Sequence, residues 1–345
     1  MRAEKPGREF AGLIRFSKET LMSFGLALVF IVYVVQAFRI PSESMEDSLL
    51  IGDQLLALKF SYGAPVLPFT YAKFPGIKDP EPGEAVIFKS PNNQGKDYIK
   101  RCVAGPGQTV EIRENTLVID GQNAQLPPEG KHVLGGRIGD PEIENFAPVR
   151  IPAQGDLLVI DSLTNRETLF AKHLIKQEHP RTSVELKLHL YIDGEYSNAA
   201  PIKTPQSIIT LDQVNAHRVV DKIDNWIALR DAMKELSVLA QSTYPGKSVE
   251  VRPVIYRAGE PVSTYRVEND NYFMMGDNRD NSADSRYWGF LNRNYVKAKA
   301  FILYFSLDKE TPYWQLPLKI RWNRIGKLIR AWDGQPQPVK VAAGQ

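Results

Sequence analysis

The chain has 345 residues, enough for one large domain or two modest domains with a hydrophobic core. Its formal net charge is +3, so the overall charge does not predict a nucleic-acid partner. A single cysteine, Cys102, excludes an internal disulfide framework and a cysteine-rich metal site, and the five histidines show no metal-ligand spacing. We therefore predict no metal and no other cofactor.

The first predicted element is an apolar segment near the N-terminus. Residues 21–38, LMSFGLALVFIVYVVQAF, carry no charge, and their length is about the minimum for a transmembrane helix. The positive-inside rule makes residues 1–20 cytoplasmic and places the chain after Arg39 outside, because five basic residues precede the segment: Arg2, Lys5, Arg8, Arg15 and Lys18. A cleaved signal peptide is the alternative, but the apolar run is longer than the apolar core of a usual signal peptide, which has about 7–15 residues. We therefore predict a single transmembrane anchor.

Beyond the anchor, the pattern is typical of short β-strands. Residues 39–125 and 266–308 contain runs rich in β-branched and aromatic residues, separated by Gly, Pro and Asn turns. Between them, residues 126–265 include a stretch of helical periodicity near 211–241. The sequence predicts a mainly β fold, in which one N-terminal transmembrane helix precedes an extracytoplasmic β-sheet catalytic domain with an inserted α+β accessory region.

Residues 309–345 are predicted to form a basic amphipathic segment and a tail. Basic side chains lie mostly on one face of this segment. The opposite face carries apolar side chains at helical spacing: Leu318, Trp322, Ile325, Ile329 and Trp332. Such a helix lies on an anionic membrane surface or packs on the body of the protein, and the sequence leaves both alternatives open.

Three hydroxyls follow the anchor directly, at Ser42, Ser44 and Ser48 in IPSESMEDSLL. They indicate either a polar turn before a strand or a nucleophile held close to the bilayer. A serine hydroxyl is a poor nucleophile without a base, and every histidine falls within the inserted region. Lysine is the other candidate base, provided that burial lowers its pKa from about 10.4 towards about 7–8. Lys100 lies in the strand-like DYIKRCVA, although a lone lysine in a strand is more often a solvated charge.

Three segments, PSESM, YIKRCVAGPG and GDNRDNSADSR, follow the anchor in this order and resemble the motifs of bacterial type I signal peptidases (leader peptidases). Members of that family are membrane-bound serine endopeptidases that use a Ser-Lys dyad to remove N-terminal signal peptides from exported preproteins. The resemblance implies that Ser44 is the nucleophile and Lys100 the general base. It also implies that Ser42 helps to form the oxyanion hole and that Ser282 hydrogen-bonds the lysine and orients it.

The same resemblance implies partners and location. The expected partners are preprotein signal peptides and the lipid bilayer, with no nucleic acid. The expected location is the inner (cytoplasmic) membrane, and the apolar segment with the positive-inside rule predicts one span, a cytoplasmic N-terminus and an extracytoplasmic catalytic domain.

The substrate pockets are also implied by the family, in which substrate binds as an extended strand beside the serine and lysine segments. The pockets for the first and third residues before the cut would have room only for alanine-sized groups. Five bulky apolar side chains would line them: Phe38, Ile40, Met45, Leu49 and Ile99. We therefore expect cleavage after Ala-x-Ala. The alternative is that these side chains are ordinary core.

The sequence also departs from the family pattern. Glu46-Asp47-Ser48 stands where the family commonly has x-Pro-Thr, which places two carboxylates just past the nucleophile. The charged residues between Asp277 and Arg286 are predicted to form a hydrogen-bonded ion network rather than to take part in the chemistry.

Two other classes of function remain as alternatives. A Ser-Lys autoprotease of the repressor type would need an N-terminal DNA-binding helix-turn-helix, and the apolar segment 21–38 argues against one. A catalytically inactive, membrane-anchored binding module would not need Ser44, Lys100 and Ser282, all of which are present.

Overall fold

The computed structural model describes residues 7–64, 66, 73–91, 95–127, 130–131 and 140–332. The α-helices are α1 (Gly7–Tyr33), α2 (Pro141–Glu144), α3 (Asn165–Glu178), α4 (Leu211–Ala216), α5 (Trp226–Thr243), α6 (Ser285–Trp288) and α7 (Leu316–Lys319). The strands are β1 (Val35–Arg39), β2 (Asp53–Leu58), β3 (Ala85–Lys89), β4 (Asp97–Ala104), β5 (Thr109–Arg113), β6 (Thr116–Ile119), β7 (Gln122–Asn123), β8 (Val149–Arg150), β9 (Leu157–Val159), β10 (Val184–Ile192), β11 (Glu195–Tyr196), β12 (Ile202–Lys203), β13 (Ile208–Ile209), β14 (Val249–Arg257), β15 (Glu260–Pro261), β16 (Thr264–Arg266), β17 (Asn271–Met275), β18 (Leu291–Asn292) and β19 (Val296–Ser306). The predicted mainly β class, with one long apolar helix near the N-terminus and an inserted α+β region, is confirmed.

The chain divides into two compact units that interleave along the sequence. The first comprises Met1–Ile40, Gly52–Asp79 and Lys297–Ile329, and the second comprises Pro41–Ile51, Pro80–Val296 and Arg330–Gln345. The predicted serine and lysine motifs and the inserted region therefore belong to the second unit. The long apolar helix and most of the C-terminal segment belong to the first.

In the first unit, β1, β2 and β19 form an antiparallel sheet in which β2 pairs with both neighbours. Helix α1 ends at Tyr33, five residues before the predicted end of the apolar segment at residue 38, because Val35–Arg39 pair with β2 as a strand. The β-branched pair Val34-Val35 favours this change from helix to strand. The Lys59 ammonium donates to the freed carbonyls of Ile31 and Val32 at 3.2 and 3.0 Å, which completes the helix end.

In the second unit, the central sheet runs β3–β4–β17–β18 with antiparallel neighbours. Strand β4 pairs on one side with β3, where Lys100 faces Val86, and on the other side with β17. Every residue from Lys100 to Ala104 is buried. A lysine in this strand therefore has an interior environment rather than the solvated one that a lone strand lysine usually has.

The inserted region packs helices on the antiparallel pair β10–β14. The inward residues of β10 are apolar and buried, and α3 and α5 share one core with them. The periodicity at 211–241 corresponds to two helices, α4 and α5, because Arg218 between them adopts a left-handed backbone (φ 52°). Helix α3 was not predicted, although Thr164 and Glu167 form a capping box at its start.

The C-terminal segment is not the continuous helix that its spacing predicts. Helix α7 is short, a single 3₁₀ turn follows at Trp322–Arg324, and the backbone then runs beside β19 through hydrogen bonds between Gly326 and Leu303 and between Ile329 and Phe301. Gly326 takes a left-handed conformation (φ 83°), which ends helical geometry there. Residues 333–345 of the predicted tail lie outside the described residues.

Candidate active site

The predicted nucleophile lies in a tight turn. The backbone N–H groups of Glu46 and Leu49 donate to the carbonyls of Glu43 and Met45, at 2.9 and 2.7 Å, so the segment folds back on itself. The Ser44 carbonyl accepts a hydrogen bond from the Asn278 backbone N–H at 3.2 Å. The Ser44 side chain is buried in a position that a turn alone would leave in solvent.

Lys100 reaches Ser44 from the neighbouring sheet. Its ammonium donates a hydrogen bond to the Ser44 Oγ, although the two residues lie 56 positions apart in sequence. Only 5% of Lys100 is exposed, and burial lowers the pKa of this lysine from 10.5 to about 8. The carboxylates of Asp284 and Asp277 oppose that lowering, and the Arg286 guanidinium adds to it. A substantial fraction of Lys100 is therefore a neutral amine in mildly alkaline solution, as a general base must be.

Two buried ion pairs lie near the lysine and form part of the network predicted for the charged motif, although the buried Arg279 has two side-chain nitrogens with no hydrogen-bond partner among the described residues. Arg101 makes two hydrogen bonds to Asp277, at 2.7 and 2.6 Å, and Arg286 pairs with Asp284 at 2.9 Å. The Asp284 carboxylate also accepts the Gly276 backbone N–H at 3.0 Å. Every charge in these pairs is buried with a partner, so the pairs fix the backbone on both sides of the Ser44–Lys100 contact.

Gly276 is a site residue whose role sequence reasoning missed. A Cβ at this position would lie 2.3 Å from the Ser282 Oγ and 2.4 Å from the Ser44 carbonyl oxygen. Only a glycine allows the nucleophile turn and Ser282 to approach the end of β17 so closely. The available signal was the glycine itself, at the point where the buried strand meets the charged motif.

Ser282 is brought beside the dyad but does not make the predicted hydrogen bond with Lys100. Its hydroxyl is buried and has no hydrogen-bond partner among the described residues. The physical reason is direction: Lys100 Nζ points at Ser44, whereas the Ser282 Oγ faces the open side of the Gly276 Cα.

Ser42 lies on the exposed side of the nucleophile. Its Oγ is 3.4 Å from the Ser44 Oγ. Within the described part of the chain, the Ser44 backbone N–H donates no hydrogen bond, so this group of the expected oxyanion hole is available as a donor.

The five predicted pocket residues are divided between the two units. Phe38 and Ile40 belong to the first, where Phe38 is partly exposed and Ile40 is buried. Met45, Leu49 and Ile99 belong to the second unit with the dyad. Met45 and Leu49 are 1% and 0% exposed, so they support the turn from within, whereas Ile99 retains accessible surface one residue from Lys100.

Comparison with known proteins agrees with these motifs. The family model "Signal peptidase, peptidase S26" matches residues 13–150 and 137–305. Signal peptidase I of Buchnera aphidicola subsp. Schizaphis graminum is 30% identical over 306 residues, which are 87% of this chain and 78% of that protein. Signal peptidase I of Aquifex aeolicus is 27% identical over 292 residues, covering 81% and 80% of the two chains. A signal peptidase I from Enterococcus faecalis, known from a crystal structure, has 19% sequence identity to this chain. The match covers 65% of this chain and 98% of the Enterococcus chain, but its TM-score of 0.22 is too low to bear on the fold.

Proposed function

Because this chain belongs to the signal peptidase family, peptidase S26, we propose that it removes signal peptides from exported preproteins with Ser44 as nucleophile and Lys100 as general base. Membership makes the protein a hydrolase of peptide bonds. The observation that carries the assignment of the dyad is the hydrogen bond from a buried lysine, whose pKa is about 8, to the hydroxyl of a turn serine.

The proposed reaction begins with proton transfer. Neutral Lys100 accepts the Ser44 hydroxyl proton while the Ser44 Oγ bonds to the peptide carbonyl carbon, giving a tetrahedral intermediate and an ammonium. The ammonium returns that proton to the leaving amine as the peptide bond breaks, which leaves an acyl-enzyme and a neutral lysine. Water then attacks the ester with Lys100 again as base, releasing the signal peptide with a new carboxylate and restoring the Ser44 hydroxyl.

The negative oxygen of the intermediate needs hydrogen-bond donors. The Ser44 backbone N–H and the Ser42 hydroxyl fill this role in the proposal, since both adjoin the nucleophile and the amide has no other described acceptor. Ser282 has no hydrogen bond to Lys100 in this structure, so orientation of the lysine by Ser282 is an expectation that comes from the family resemblance alone.

The proposed specificity is for small residues before the cut, as in Ala-x-Ala. It rests on the family resemblance and on the apolar residues next to the dyad in sequence, of which Ile99 retains accessible surface although strand alternation directs its side chain to the face opposite Lys100. A large substrate side chain placed there would have to displace packed apolar atoms, at a cost of about 1–3 kcal/mol.

Membrane anchoring by α1 completes the proposal. Residues Arg15–Tyr33 are a candidate membrane span of 19 residues, unburied and uncharged from Leu21 onwards, and a helix of that length is about 28 Å long, close to the hydrocarbon thickness of a bilayer. The first unit also exposes large apolar side chains near its C-terminal end: Trp314, Leu318 and Trp322. Such surface supports contact with lipid, and the basic residues before the uncharged run that begins at Leu21 support a cytoplasmic N-terminus and an extracytoplasmic catalytic domain in the inner membrane.

Cleavage of a preprotein by the detergent-solubilised protein tests the assignment. The wild type should produce a shortened product, while Ser44→Ala and Lys100→Met should produce none above background and should stay folded. Lys100→Arg should also fail, because a guanidinium remains protonated at any usable pH. Appreciable cleavage by Lys100→Met would remove Lys100 from the mechanism, and cleavage by Ser44→Ala would remove the nucleophile.

A further inference from the structure

Two carboxylates next to the nucleophile have no part in the proton transfers. Glu46 and Asp47 follow Ser44 in the same turn, and both form ion pairs with one lysine, Lys131. Its Nζ lies 3.0 Å from the Glu46 Oε2 and 3.1 Å from the Asp47 Oδ2. These two hydrogen bonds, with Glu46 first, raise the pKa of Lys131, so the ammonium stays charged wherever the enzyme would work.

The backbone of Lys131 is itself held in place. Its N–H donates to the Asp277 carbonyl at 3.0 Å, and its carbonyl accepts the Arg279 N–H at 3.1 Å. These bonds make Lys131 a one-residue parallel β-bridge to Asn278. The side chain that grips the serine turn is therefore attached to the segment whose Asp277 pairs with Arg101, the residue next to Lys100.

Asn278 completes the connection. Its side-chain amide donates to the Glu46 Oε2 at 3.2 Å, and its backbone N–H donates to the Ser44 carbonyl at 3.2 Å. Glu46 thus receives hydrogen bonds from Lys131 and from Asn278, the residue that also holds the nucleophile. Movement of the turn would break all of these contacts together.

The backbone at Asp47 explains why the turn needs holding. Asp47 has a φ of 72°, the left-handed region that costs most residues free energy and that aspartate and asparagine tolerate best. A carboxylate at this position tolerates the conformation and also supplies the second ligand for Lys131.

We propose that Lys131 is a positioning residue that holds the Ser44 turn against Lys100 through its ion pairs with Glu46 and Asp47. The proposal rests on the proposed function, because positioning has meaning only if Ser44 and Lys100 carry the reaction. Lys131 touches no reacting atom, so its effect is on the geometry of attack and not on the binding of substrate.

Preprotein cleavage by the full-length protein in detergent tests the proposal through kcat and KM measured separately. The ion pairs are partly exposed, so Lys131→Met should lower kcat by about 3- to 10-fold with KM unchanged. Lys131→Arg should retain most of the activity. Lys247→Met is the control, because Lys247 forms a more exposed ion pair with Asp193 far along the chain, and it should behave as wild type.

A second measurement compares kcat of variants at Lys131 with kcat of variants at its two carboxylate partners. A general loss of stability would not make these changes in kcat depend on one another. Glu46→Gln with Asp47→Asn should lower kcat by the same factor as Lys131→Met, and combining all three changes should lower it no further. In about 1 M salt, where charges are screened within about 3 Å, wild-type kcat should fall towards that of Lys131→Met while the variant stays constant.

Three results would overturn the proposal. Wild-type kcat in Lys131→Met would show that the ion pairs do not position the nucleophile, and additive losses in the combined variant would show that the partners act independently. A rise in KM alone would make Lys131 a substrate contact. Each of these is distinct from failure of the proposed function, in which Ser44→Ala would cleave as well as the wild type.

Discussion

Replacing Lys100 with methionine should stabilise the folded protein by an amount that depends on pH. Burial lowers the pKa of Lys100 from 10.5 to about 8, so between these values the unfolded chain binds more protons than the folded protein. Wild-type stability therefore rises with pH across this window, and the full cost of the buried ammonium is present below about pH 8. One pKa unit is worth about 1.4 kcal/mol, so the cost is about 3 kcal/mol near pH 7 and about 1.4 kcal/mol near pH 9.5.

Methionine has a similar length and no charge, so Lys100→Met removes this cost at every pH. Its stability advantage over wild type should shrink by about 2 kcal/mol between about pH 7 and about pH 9.5. The hydrogen bond to Ser44 is lost at both pH values and cancels in the difference. Denaturant unfolding of the detergent-solubilised proteins, followed by tryptophan fluorescence, measures this change in the stability advantage. A Lys100→Met advantage that stays constant with pH would refute the argument that the fold disfavours charged Lys100.

Four further substitutions probe the site. Gly276→Ala would place a methyl group 2.3 Å from the Ser282 Oγ and 2.4 Å from the Ser44 carbonyl oxygen. The nucleophile would be displaced, so preprotein cleavage should fall by about 100-fold. Wild-type activity in this variant would contradict the close approach of the Ser44 turn to Gly276. Ser282→Ala removes a buried hydroxyl that has no described partner, so stability should not fall and cleavage should fall less than in Ser44→Ala. An equal loss would give Ser282 a direct part in the chemistry. Asp47→Pro should destabilise the protein in thermal unfolding, because proline cannot adopt a φ of 72°. Ile99→Ala should admit larger residues at the third position before the cut in a preprotein library, and an unchanged preference would remove Ile99 from the pocket.

Ser44 and Lys100 lie 56 positions apart, but the sequence could predict that they act together because each lies in a recognisable motif. PSESM and YIKR indicate Ser44 and Lys100 by their neighbours, and the structure joins the two side chains. The role of Gly276 could not be predicted in this way, since it depends on how closely the Ser44 carbonyl approaches a different strand. The ion pair between Asp47 and Lys131 is equally non-local, and neither residue lies in a pattern that marks the other.

The predicted boundaries of helices and strands were wrong where the same residues suit more than one kind of backbone structure. The residues after Tyr33 are apolar enough for a membrane helix, yet β-branched residues also suit a strand, and pairing with β2 decides between them. The spacing at 211–241 fits one helix until Arg218, whose left-handed backbone interrupts it. Helix α3 carried a local signal in Thr164 and Glu167 that periodicity alone did not reveal.

The pH dependence of single-turnover preprotein cleavage by the wild-type protein tests the role of Lys100 as base most directly. Only neutral Lys100 accepts the Ser44 proton, so the rate should rise tenfold per pH unit at low pH and level off at the pKa of Lys100, about 8. A rate that is flat from about pH 6 to about pH 9, or one that levels off only near 10.5, the ordinary lysine value, would contradict a buried lysine as the general base.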